Sequence, residues 1–114
     1  MIVRRLFLAL PLVFAAPVLA QGIPSDISGT YRVEGRNPDG SAYKGKLTVV
    51  ESTGGAVAFA WIVANQSYAG VGMRDGRVVS VDWGADSPVV YVIMPDGELH
   101  GTWGDGTALE RARK

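Results

Sequence analysis

AVAFAWIVANQSYAGVGMRDGRVVSVDW, residues 56–83, decides the fold. Its first eight residues set Val57, Phe59, Trp61 and Val63 against Ala56, Ala58, Ala60 and Ile62. One face is large and apolar, the other mostly alanine, and the period of two is that of a β-strand. Ala64-Asn65-Gln66 is a tight connection. The next run, Ser67 to Met73, brings Tyr68, Gly70 and Gly72 to one face. Arg74-Asp75-Gly76 follows, an Asp-Gly between apolar alternations and so a strong short-range hairpin signal. Arg77 to Trp83 then alternates Val79, Val81 and Trp83 with Val78, Ser80 and Asp82.

The same rhythm extends in both directions. Upstream, Ile27 to Glu34 alternates Tyr31 and Val33 with Arg32 and Glu34, and Arg36-Asn37-Pro38-Asp39-Gly40 turns the chain. Ala42 to Glu51 puts Tyr43, Gly45, Leu47 and Val49 on one face before the turn Ser52-Thr53-Gly54-Gly55. Downstream come Val89 to Met94, Glu98 to Trp103 and Thr107 to about Ala112, parted by Pro95-Asp96-Gly97 and Gly104-Asp105-Gly106. Eight short runs joined by short turns predict an all-β chain, a small eight-stranded antiparallel up-and-down barrel. Closure removes the sheet edges that invite aggregation. A two-sheet β-sandwich is the alternative, but no connection is long enough for a Greek-key return. The chain has no cysteine, so core packing and closed hydrogen bonding must hold it.

Met1-Ile2-Val3-Arg4-Arg5 opens with positive charge, Leu6 to Leu19 is uncharged, and Val18-Leu19-Ala20 offers small residues for cleavage. This is the pattern of a secretory signal peptide over residues 1–20. A short polar lead, residues 21–26, and one barrel domain, residues 27–114, complete the expected organisation. The mature protein is expected to be periplasmic or secreted, without a membrane span. Removal of Arg4 and Arg5 leaves nine basic against eleven acidic residues. No stretch clusters lysine and arginine, which speaks against nucleic acid as a partner.

Four glycine-bearing motifs carry a family resemblance. They are Gly-x-Tyr-x-Val-x-Gly from Gly29, Asp-Gly-Ser-x-Tyr-x-Gly from Asp39, Tyr-x-Gly-Val-Gly from Tyr68 and Asp-Gly-x-Leu-x-Gly-x-Trp from Asp96. With Gly29-Thr30-Tyr31 on the first run, Gly101-Thr102-Trp103 near the end and a hairpin meander between them, the chain resembles a minimal calycin-like barrel, the architecture of avidins and lipocalins. More closely, the four motifs resemble small exported bacterial β-barrel proteins of unknown function, often labelled hypothetical or fibronectin-binding-like. The resemblance spans Gly29 to Trp103 and implies fold rather than activity. It transfers no residue-level site.

Catalytic chemistry lacks its parts. The lone histidine, His100, falls on the outward face of its run, and none of the mature serines sits in a nucleophile elbow. One histidine and no cysteine cannot build a zinc site. The turns at Asn37-Pro38-Asp39-Gly40 and Asp105-Gly106 carry one aspartate each, too few for an EF-hand. The carboxylates Glu34, Glu51, Asp82, Asp86, Glu98 and Glu110 are expected mostly on solvated faces and turns. No catalytic residue, metal or cofactor is therefore assigned.

Aromatic residues give the functional lead. Eight of them, from Tyr31 to Trp103, fall in seven runs and mostly on the inward face. They fill a barrel interior, or they line an apolar pocket at one mouth. Trp83 and Trp103 lie at strand ends and are the chosen mouth residues; Trp61, Tyr68 and Tyr31 complete the ligand-binding set. The runs at 56–63 and 89–94 are apolar on both faces, so each outward strip is expected to need a cover such as the lead, a loop or a second molecule. These features suit an exported non-enzymatic binding module for an unknown protein or a small apolar ligand. The alternative is a periplasmic inhibitor of a hydrolase, a lysozyme or protease, presenting a loop or the arm Gln21–Asp26.

Overall fold

The computed structural model describes residues 23–114, and the expected signal peptide and the first residues of the lead lie outside the described residues. Eight antiparallel strands form a closed up-and-down barrel: β1 (Gly29–Arg36), β2 (Ala42–Glu51), β3 (Ala56–Val63), β4 (Gln66–Asp75), β5 (Val78–Asp82), β6 (Val89–Ile93), β7 (Leu99–Trp103) and β8 (Ala108–Arg113). A single 3-10 turn, Thr53–Gly55, joins β2 to β3. Each strand pairs with its sequence neighbour, and β8 closes on β1 with Val33 opposite Ala112 and Gly35 opposite Glu110. The barrel, not the sandwich, is the fold.

Turn chemistry differs in detail from the sequence expectation. Asp75 is the last residue of β4 and pairs with Val78, so Gly76-Arg77 forms the two-residue loop. Gly76 takes φ 64° at the first loop position, where the strand twist asks for positive φ. At β3–β4 both loop residues, Ala64 and Asn65, are left-handed, at φ 52° and 67°. Glycines on β4 let the wall bend. A Cβ on Gly72 would lie 1.8 Å from the Ser80 carbonyl oxygen, so β5 approaches more closely than any side chain permits.

Alternate residues point inward and build a core that is solid over one half of the barrel. Tyr31, Val33, Leu47, Val49, Phe59, Val79, Val81, Ile93 and Leu99 are all buried there. The end holding the start of β1 is sealed by the lead. Ile27, expected as the first residue of a strand run, instead precedes β1 and lies buried as a plug. Its amide donates to Glu51 Oε1 at 3.0 Å, and its carbonyl accepts from the Tyr31 hydroxyl at 2.6 Å. Arg74 pairs with the same Glu51 carboxylate at 3.0 Å and donates to the Pro24 carbonyl at 2.6 Å. Lys114 Nζ donates to the Ser28 carbonyl at 3.1 Å. The lead thus covers a barrel end and not the outer apolar strip. Ile62 on the β3 strip, and Val71 and Met73 beside that strip on β4, are more than half exposed.

Candidate functional site

At the opposite end the barrel is open. A cavity of about 290 Å³ lies inside this mouth, lined by Tyr43, Trp61, Val63, Tyr68, Trp83, Val89, Trp103 and Glu110, with Asn37 at the edge. Strand direction explains the gathering. β2, β4, β6 and β8 begin at this end and β1, β3, β5 and β7 finish there, so inward residues at those strand ends meet. Tyr68 sits near the start of β4, Trp103 ends β7 and Trp83 directly follows β5.

The rings stand steeply to one another. Tyr68 meets Trp83 at 6.1 Å and 67°, Trp83 meets Trp103 at 5.8 Å and 83°, and Trp103 meets Tyr43 at 6.2 Å and 65°. Edge-to-face pairs of this kind are the preferred arrangement of quadrupolar rings. Hydrogen bonds fix the rim. Trp83 Nε1 donates to the Ser87 carbonyl at 3.2 Å, and the Asp105 amide donates to Ser87 Oγ at 2.9 Å, which ties the two tryptophan-bearing loops together. Trp103 Nε1 donates to the Tyr43 hydroxyl at 2.9 Å.

Glu110 is the charged group of the cavity. It is 7% exposed, against the expectation that the carboxylates lie mostly on solvated faces. The Tyr43 hydroxyl donates to its Oε1 at 2.8 Å; Trp61 Nε1, at 3.1 Å, and the Tyr91 hydroxyl donate to its Oε2. Three donors satisfy most of an acceptor-only carboxylate and leave Oε1 with the fewer bonds. No lysine, arginine or histidine forms an ion pair with Glu110 among the described residues.

A cross-strand row builds this constellation. Reading across the wall, Tyr43 on β2 pairs with Gly35 on β1, Gly35 with Glu110 on β8, Glu110 with Gly101 on β7, and Gly101 with Tyr91 on β6. Both glycines are occupied by rings. A Cβ on Gly35 would fall 2.1 Å from the Tyr43 ring, and one on Gly101 would fall 2.5 Å from the Tyr91 ring. Each tyrosine therefore lies across its neighbouring glycine and reaches the carboxylate. Burial, and then the Glu110 charge, pushes both phenols well above the ordinary tyrosine range.

Four of the five residues expected to form a ligand site, Trp83, Trp103, Trp61 and Tyr68, surround this one cavity. Tyr31 does not join them. It lies at the sealed end, 1% exposed, with its hydroxyl spent on Ile27, because β1 begins where β5 and β7 also begin and far from where they finish. His100 is on the outer wall, beside Glu98 at 2.8 Å. Arg111 and then His100 hold the Glu98 carboxyl down at about 2. Among the described residues no three acidic or histidine side chains converge where a metal ion could sit.

Sequence reasoning missed Glu110, Tyr43 and Tyr91 as site residues. In Ala108-Leu109-Glu110-Arg111-Ala112 neither face is cleanly apolar, so alternation alone does not orient β8. The available signal was the strand glycines Gly35 and Gly101, which vacate space for something large. No family model matches this chain, and neither a curated protein nor a solved structure matches it.

Proposed function

We propose that this protein is an exported, non-enzymatic binding module that takes a small ligand into the aromatic mouth of its barrel. One observation carries the reading: the open half holds a cavity of about 290 Å³ walled by tyrosine and tryptophan, while the other half is packed solid. Small-molecule sites are concave, mostly apolar and furnished with a few fixed polar groups. The mouth has that make-up, and its rim is held by hydrogen bonds before any ligand arrives. Of the arm that a hydrolase inhibitor would present, the described Ile23 and Pro24 are half-buried and the Pro24 carbonyl accepts from Arg74, which favours the mouth over the arm.

The test follows the indole N–H signals of Trp83 and Trp103 by NMR during titration with three small probes of one shape: choline, 3,3-dimethyl-1-butanol and 3,3-dimethylbutanoate. At least one probe is expected to shift both signals saturably. In Trp83→Ala and Trp103→Ala, affinity for that probe should drop about tenfold or more, as loss of an aromatic wall implies. Indole signals that ignore all three probes would remove the proposal.

A further inference from the structure

We propose that the mouth selects a ligand bearing an organic ammonium head, held against the tyrosine and tryptophan rings with Glu110 as its counter-charge. This rests on the binding reading above and adds the chemical class of the ligand.

Three independent features point to a cation. The first is the wall. Tyr68, Trp83, Trp103 and Tyr43 form a run of steeply angled rings around one cavity. Ring faces carry negative electrostatic potential, and an alkylated ammonium loses little hydration on contact with them.

The second is the floor. Glu110 brings a carboxylate into the cavity with only phenol and indole donors around it. Neutral donors spread the charge without cancelling it. Stability alone does not call for such a group, since an apolar side chain of similar size fills a barrel interior without the desolvation of a charge. Oε1, which accepts only from Tyr43 among the side chains near it, keeps capacity toward the cavity.

The third is the rim. The loops at this end, residues 37–41, 64–65, 83–88 and 104–107, contain Asp39, Asp86 and Asp105 and no lysine or arginine. The nearest basic residues on the strands, Arg36 and Lys44, are exposed on the outer wall, and Arg36 is turned onto the Gly40 carbonyl at 3.2 Å. Three aspartates against the one guanidinium of Arg36 leave the entrance net acidic, and Glu110 adds a carboxylate at the floor.

The alternatives fit less well. An anion would face Glu110 with no compensating charge. A hard metal ion needs several oxygen ligands, and the cavity offers one carboxylate. A neutral apolar ligand would satisfy the rings but leave the carboxylate unused.

The three probes share shape and differ in charge, so they decide the matter. Choline should bind wild-type protein about tenfold or more tightly than 3,3-dimethyl-1-butanol, with 3,3-dimethylbutanoate weakest. Glu110→Gln keeps the side-chain volume and an acceptor oxygen, and should cut the choline preference to about threefold or less. Asp86→Asn with Asp105→Asn leaves the cavity wall intact and should weaken choline, leave the neutral alcohol unchanged and ease the carboxylate probe, each with a smaller effect than Glu110→Gln. Asparagine tolerates the left-handed backbone at position 105, so this variant tests the rim even where Glu110→Gln fails to fold. Binding of the neutral alcohol as tight as choline in wild-type protein, or tighter binding of the carboxylate probe, would overturn the ammonium assignment while leaving a ligand-binding mouth. Silence of the indole signals toward every probe would remove both.

Discussion

Each end of the barrel has a carboxylate at its centre, and the two are treated in opposite ways. At the sealed end Glu51 meets Arg74, and the pair is completed by the chain itself, through the Ile27 amide and the Pro24 carbonyl. At the mouth Glu110 meets two phenols and an indole, and no cation. The tyrosines register the contrast. Tyr31 at the sealed end is raised by burial and by the charges of Asp26 and Glu51, with Arg74 pulling the other way. Tyr43 and Tyr91 are raised by burial and Glu110, with only indole hydrogen bonds opposing. A barrel end closed by its own chain has its electrostatics settled internally. At the open end no cation among the described residues answers the carboxylate.

If the two ends are separate in this sense, changes at the sealed end should act on stability and leave the mouth alone. Ile27→Ala is expected to have the largest effect, a loss of about 2–4 kcal/mol in urea unfolding, from lost transfer energy and a cavity beneath the lead. The Trp83 and Trp103 indole signals should stay in place. Displacement of those signals would show that the plug also shapes the mouth and would break the comparison.

Arg74→Met should cost less, about 1–3 kcal/mol, because Glu51 keeps its bond from the Ile27 amide while the Pro24 carbonyl loses its donor. Faster hydrogen exchange at the Ile27 amide, with unaltered exchange at Trp103 where β7 reaches the mouth, would sharpen the separation. Equal acceleration at both ends would count against it.

Alkaline titration gives the smallest effect. The folded Tyr43 and Tyr91 phenols titrate above the unfolded value, so their contribution to stability is complete below about pH 10 and declines as pH rises from there toward the folded values. Ultraviolet phenolate absorbance should therefore show both lagging an ordinary tyrosine. Glu110→Gln should shorten the lag without abolishing it, since burial is the larger cause. No change in that variant would mean that the Glu110 charge has no hold on the mouth.

The wall of this barrel was legible in the sequence. Period-two alternation such as Val57-x-Phe59-x-Trp61, short polar turns and the lack of any long connection led directly to eight antiparallel strands in order. The gathering of Trp61, Tyr68, Trp83 and Trp103 was also within reach, because inward residues at the ends of antiparallel strands meet at one mouth. Alternation does not show which end of the barrel a residue occupies, so Tyr31, inward near the start of β1, lies at the sealed end, and Asp-Gly does not fix the loop register, because a glycine with positive φ serves the first loop position equally well. The role of Ile27 was hidden by its continuity with an alternating run, which cannot tell a strand from a plug.

Local patterning by itself determined the strands, their order and, β8 excepted, which residues face inward, because alternation and turn chemistry are properties of neighbouring residues. Only the closed barrel decided that Gly35 and Tyr43 come to Glu110 and that one end is filled while the other is open. The reason is physical. The β1–β2 hairpin that carries Gly35 and Tyr43 meets Glu110 across a seam that exists only after β8 has paired with β1.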